Sequence, residues 1–160
     1  MGNYEEWGGG TVIHEGPLPP YFTRAELSCQ GTGVIRLDQR FADALVELRE
    51  QWNKPLSPSS VCRTPDHNEN VGGHPRSLHL TKNPYWSTNG TMAADIRWRM
   101  WPTEEKLAFS RFCWQRGWAV GLHDGFCHID RRSDIGLGQA VFLYGTWSGA
   151  FDPEDVKRAA

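Results

Sequence analysis

Nowhere in the 160 residues do apolar side chains run on to the roughly 18 needed for a membrane-spanning helix, so no membrane role is expected. The opening MGNYEEWGGGTV has neither a basic n-region nor an apolar h-region, and no signal peptide is expected. Met1-Gly2 is a myristoylation-like start, but Glu6 stands where Ser or Thr is required. Lys and Arg form no cluster and the net charge is −2, which argues against nucleic acid as a partner. The four cysteines, Cys29, Cys62, Cys113 and Cys127, include no CxxC pair and are too sparse for a disulfide framework. They are expected to be reduced and buried. The sequon Asn89-Gly90-Thr91 matters only in an exported chain.

Hydrophobic residues at 39% and charged residues at 22% suit one globular domain that buries about two thirds of its unfolded surface. Residues 1–21 are rich in Gly and Pro and predict an extended arm outside the core. Thr23 suits the cap of a short helix. Asp38 suits the cap of a helix over 39–52, whose Phe41, Leu45, Leu48 and Trp52 form one apolar stripe, with Pro55 beyond its end. A short strand over 57–62 precedes a loop-rich stretch over 64–92. The alternation of 93–98 predicts a strand. Pro102 opens a helix over 103–116 that Gly117 stops, and 118–122 with 126–129 reads as a hairpin. The fold class is α+β, helices on a small, mainly antiparallel sheet.

Three short motifs carry the chemistry: Ser77-Leu78-His79, Ala93-Ala94-Asp95-Ile96 and Cys127-His128-Ile129-Asp130. Two imidazoles and one carboxylate are a common ligand set for a catalytic zinc, whose fourth position stays open. An open zinc is the chemistry of a hydrolase. His14, His67 and His74 read as solvated loop residues, and His123 as either a groove residue or a turn residue. The eight tryptophans are mainly core; Trp86, on the polar stretch, is the best candidate for a site wall.

Residues 22–132 resemble the M15 metallopeptidases, the D-Ala-D-Ala carboxypeptidase and phage endolysin group, and within it the short phage-type branch. The resemblance runs in order through Phe22-Thr23-x-x-Glu26-Leu27, Leu48-Arg49, Lys54-Pro55-Leu56, Ser60-Val61-Cys62-Arg63-Thr64-Pro65-x-His67-Asn68, Val71-Gly72-Gly73 and Ser77-x-His79. It continues with Ala93-Ala94-Asp95-Ile96 and Phe126-Cys127-His128-Ile129-Asp130-x-Arg132. Residues 1–21, the arm, and 133–160, a C-terminal extension, lie outside it. The resemblance implies the hedgehog-like zinc peptidase fold and a zinc held by His79, Asp95 and His128. It implies that Arg63 pairs with a substrate carboxylate, for which a guanidinium fork is suited. Asn68 and Ser77 match polar positions that hold the peptide. The implied substrate is the stem peptide of bacterial peptidoglycan, cut by a carboxypeptidase or endopeptidase that a phage encodes for lysis or wall penetration. Such a protein is expected in the host cytoplasm before release to the wall, or in the virion.

Two departures stand out. The family pattern S-x-H-x-x-G-x-A-x-D sets its first two ligands close together, whereas His79 and Asp95 are sixteen positions apart. Leu80 to Met92 reads as a lengthened loop, which costs little entropy if both ends stay anchored. The family's general base often lies where this chain has Gly125. The neighbouring acids are Asp124 and Asp130. The reading takes Asp124 as the base and Asp130 as a residue orienting a ligand, with the reverse left open. Two other function classes compete with the hydrolase. One is a component of a phage particle, with the arm and Val141-Phe142-Leu143-Tyr144 docking phage structural proteins. The other is a metal-binding domain without catalysis.

Overall fold

The computed structural model describes residues 3–7 and 10–158. Two helices and a five-stranded sheet enclose the core. Helix α2 (Gln39–Trp52) follows from its cap and stripe: Asp38 accepts from the Arg40 N–H, and Phe41, Leu45 and Leu48 are buried. Its exit is Asn53 in the left-handed region at φ 58. Helix α4 (Thr103–Gln115) turns Phe109 and Cys113 inward, and Gly117 at φ 88 takes the chain out of it. Trp52 packs edge-on against Phe109 at 5.1 Å and stacks on Trp101 at 6.3 Å, joining the two helices through aromatic surface. The short helix α1 (Arg24–Leu27) carries a complete capping box between Thr23 and Glu26.

The sheet has the order β3-β4-β6-β5-β7, with β3 Pro58–Ser60, β4 Ala93–Arg97, β5 Ala119–Leu122, β6 Phe126–Asp130 and β7 Val141–Leu143. All neighbours are antiparallel except β5 and β7, which run parallel. This is the expected α+β class, as a mixed sheet. β7 comes from the C-terminal extension, so that segment is part of the sheet. It also supplies a 3-10 turn at Arg132–Ile135 and helix α5 (Glu154–Lys157), whose Val156 is buried. All four cysteines are free and buried, as expected. No described helix is long and apolar enough to cross a membrane.

Two further segments differ from expectation. The N-terminal arm pairs with itself: β1 (Asn3–Trp7) and β2 (Gly10–His14) form an antiparallel hairpin, and Val12 bridges to Ile35 and enters the core. His14 follows it inside, where its Nδ1 meets the Leu37 carbonyl at 2.8 Å. The reason is period-two alternation, with Val12 and His14 inward and Ile13 outward, which the surrounding Gly and Pro obscure. Pro65–Asn70 forms helix α3 inside the stretch read as loop, with Pro65 at the position in the first turn where its missing N–H costs nothing.

Asp38 links helix start to loop. Its carboxylate accepts from the Arg40 N–H at 3.0 Å, from Arg40 Nε at 3.0 Å and Nη2 at 2.8 Å, and from the Asn89 N–H at 3.0 Å. Burial alone would raise the Asp38 carboxyl, but the Arg40 and Asn89 hydrogen bonds hold it below the usual carboxylate range. Asp38→Ala is therefore expected to destabilise the protein by about 2–4 kcal/mol, the loss of a cap plus an unsatisfied N–H, read from urea unfolding. A group with a depressed folded pKa stabilises fully above its unfolded value, about 3.9, and loses that contribution as pH falls through the folded value. The gap between wild type and variant should shrink below about pH 4. A gap that stays constant there would remove the carboxylate as its source.

Candidate metal centre

The register of the sheet sets two of the three candidate ligands. Asp95 on β4 and His128 on β6 are directly opposed Cα partners, so both side chains rise from one face. His79 arrives from a loop held by backbone bonds. Its carbonyl accepts from the Arg63 N–H at 2.9 Å and from Thr91 Oγ1 at 2.7 Å. Thr81 N–H donates to the Arg63 carbonyl, and Met92 N–H to that of Leu78. Both ends of the long loop are thus anchored, and the sixteen-position separation closes in space. Its turn depends on Gly90, at φ 153: a Cβ there would lie 2.6 Å from the backbone carbon of Leu37.

The donor atoms converge. His79 Nε2 and His128 Nδ1 face the same Asp95 oxygen, Oδ1, at 3.2 and 2.9 Å. One ligand atom from each residue lies within 4.8 Å of the others, and all three residues are buried. The far nitrogens are held as well: His79 Nδ1 lies 2.7 Å from the Val61 carbonyl and His128 Nε2 lies 2.8 Å from Asp130 Oδ2. Those partners fix which nitrogen of each ring points inward. Asp130 is clamped in turn by Arg132, whose Nε and Nη2 lie 2.9 and 2.8 Å from its two oxygens. Two nitrogens and a carboxylate oxygen, buried and oriented from behind, fit a divalent transition metal.

Charge balance follows this geometry. Burial would raise the Asp95 and Asp130 carboxyls, yet His79 and His128 hold the first, and His128 and Arg132 the second, well below the usual carboxylate range. Burial outweighs Asp95 at His79 and lowers that imidazole. At His128 burial is overcome by the Asp130 and Asp95 hydrogen bonds, which raise it to about 9.

Around the three ligands the structure sorts the other candidates. Arg63 comes to the site: its Nη2 lies 3.4 Å from Asp95 Oδ2, with Nε on Ser60 and Nη1 towards Asn68. Asn68 is buried and also donates to the His74 carbonyl, so it braces Arg63 and the loop. Ser77 accepts from the His79 N–H at 3.2 Å and borders a groove of about 430 Å³ beside His128 and Asp130. Trp86 lines that groove together with Phe142 and Leu137. A hollow of about 510 Å³ bordered by Glu47, Gln51, Arg116 and Arg131 contains none of the ligand residues. Asp124 is not brought to the three. It accepts from the Ser148 N–H at 2.9 Å at the surface, and that bond holds its carboxyl below the ordinary value. Neither His14, His67, His74 nor His123 joins the cluster; His123 caps the Gly125 N–H and stacks on Phe126.

Sequence reasoning missed three parts of this arrangement. The Val61 carbonyl leaves no trace in side-chain identity. The Arg132 clamp was visible in Asp130-x-Arg132, a spacing that lets the guanidinium fold back on the carboxylate. Tyr144, from the extension, packs 6.4 Å from the His128 ring and 5.7 Å from Phe142. Burial, then Asp95, pushes its phenol up.

A family model described as Peptidase M15 matches residues 20–130, from just before the first helix to the last residue of β6. The chain belongs to the M15 peptidase family. All three candidate ligands and Arg63 fall inside the matched span, and β7 with Tyr144 falls outside it. A search of curated proteins finds no match to this M15 chain.

Proposed function

We propose that this M15 protein is a zinc-dependent peptidase that hydrolyses a peptide bond in the stem peptide of bacterial peptidoglycan, as a phage-encoded enzyme of lysis or wall penetration. The observation that carries the reading is the convergence of His79 Nε2 and His128 Nδ1 on Asp95 Oδ1 within a peptidase family. A zinc at this donor set would polarise the scissile carbonyl and acidify a water. The protein's own residues do the rest. Asp130, held by Arg132, keeps the His128 ring in place, and the Val61 carbonyl does the same for His79. Arg63, braced by Ser60 and Asn68, offers a charged fork at the edge of the site for a substrate carboxylate. The groove walled by Trp86 and Phe142 receives the peptide chain. Action at the wall fits delivery from the host cytoplasm or within a virion.

The test is metal analysis of the purified protein followed by mass spectrometry of peptidoglycan digested with it. Zinc near one per chain and release of a new amine within the stem peptide are expected. Intact stem peptides with zinc-loaded protein would reject the substrate. Arg63→Lys keeps the charge and loses the fork, so kcat/KM on stem peptides should fall about tenfold or more, the effect of a lost charged hydrogen bond. An unchanged kcat/KM would remove Arg63 from substrate binding.

A further inference from the structure

We propose that Tyr144 completes the catalytic site by donating its hydroxyl hydrogen to the oxyanion that forms at the scissile carbonyl. The inference rests on the peptidase reading above and adds a residue from outside the matched span. The side chain stands over the ligand face of the sheet. Its ring lies 6.4 Å from that of His128, 5.2 Å from Phe126 and 5.7 Å from Phe142. Burial first, then the Asp95 carboxylate, pushes its phenol up, while the Arg63 guanidinium acts the other way. Among the described residues that hydroxyl has no hydrogen-bond partner, although the side chain is partly buried. The phenol oxygen is not among the fully buried side-chain atoms left without a partner, so it is open to solvent and free to meet a bound substrate.

The backbone positions this donor firmly. Tyr144 N–H donates to the Leu122 carbonyl at 3.0 Å, extending the parallel pairing of β7 on β5. The Tyr144 carbonyl accepts from the Trp147 N–H, and Asp124 ties the same loop at the Ser148 N–H. Phe142 can lie under the ring because residue 121 is glycine: a Cβ there would come within 2.5 Å of Phe142 Cε2. Asp124 is then a positioning residue for the loop.

In the step concerned, water adds to the amide carbon. The carbonyl π pair becomes the oxyanion as the new C–O bond forms; that pair then re-forms the C=O bond as the C–N bond breaks, the C–N pair leaves on nitrogen and takes up one water proton, and the other stays with the new carboxyl group. Tyr144 transfers no proton; burial pushes its phenol above the ordinary range, so it is a hydrogen-bond donor at neutral pH. Its contribution is confined to the charge that develops in the transition state.

Tyr144→Phe keeps the ring and removes the donor. Zinc content should equal wild type, KM on the stem peptide should stay unchanged, and kcat should fall about 10- to 100-fold. A phosphinic peptide mimicking the cleaved bond, measured by calorimetry, should bind more weakly by the same factor. A variant with wild-type kcat and wild-type affinity for the phosphinic peptide overturns the inference. So does a loss that appears in KM or in zinc content, since that marks a wall or a structural prop. Wild-type protein that cleaves no stem peptide sinks the stem-peptide reading of the site, and this inference with it.

Discussion

His79→Ala and His128→Ala are each expected to lose zinc on dialysis and to lose at least about a thousandfold in hydrolysis, several kcal/mol of transition-state stabilisation. Each substitution removes one of three candidate ligands, and among the described residues these three form the one group close enough to hold a metal ion. The variants also differ from each other. Without His128, Asp95 and Asp130 lose the imidazole that lies between them, leaving Asp95 with His79 and Arg63, and Asp130 with Arg132. Removing one partner of a buried charged set costs about 3–5 kcal/mol. His128→Ala should therefore also unfold earlier in urea than His79→Ala, where one carboxylate, Asp95, and the neutral Val61 carbonyl lose a partner. Metal analysis alongside circular dichroism separates the two effects. Full zinc occupancy in both folded variants would mean that the metal sits elsewhere.

Asp130→Asn is expected to weaken zinc affinity about 10- to 100-fold, read by competition with a chromogenic chelator. The carboxylate holds the Nε2–H of His128 and so presents Nδ1 inward. An amide in its place is neutral, and its NH2 can turn towards Nε2 and favour the wrong tautomer. It also leaves the Arg132 guanidinium without a carboxylate. Asp124→Asn is the comparison: its side chain contacts Ser148 and no ligand, so zinc affinity should stay at the wild-type level. Equal affinities in wild type and Asp130→Asn would take the orienting role away from Asp130. A zinc loss confined to Asp124→Asn would exchange the two acids.

Much of this was legible locally. Asp38 and the stripe Phe41, Leu45 and Leu48 specify helix α2 from neighbours within two turns, because capping and helical period are short-range physics. The strand alternation around Asp95 and the hairpin carrying His128 were legible for the same reason. So was the candidate set His79, Asp95 and His128, which the structure brings together, because few residue types bind a transition metal and the motifs around them run in family order.

What the sequence alone determined, then, is a chemistry and most of its elements: an M15 chain, α+β, with His79, Asp95 and His128 as candidate ligands and Arg63 beside them. Only the tertiary structure decided which groups meet. It closed the sixteen-position loop by pinning Thr81 to Arg63 and Met92 to Leu78. It folded the N-terminal arm into a hairpin with Val12 in the core, and it drew the extension into the sheet as β7. It turned Asp130 towards His128 and Asp124 towards Ser148, although both flank the same histidine. The physical reason is that a strand's register and a loop's anchoring are set by pairing between distant segments, and a shift of one residue would send each of these side chains to the opposite face.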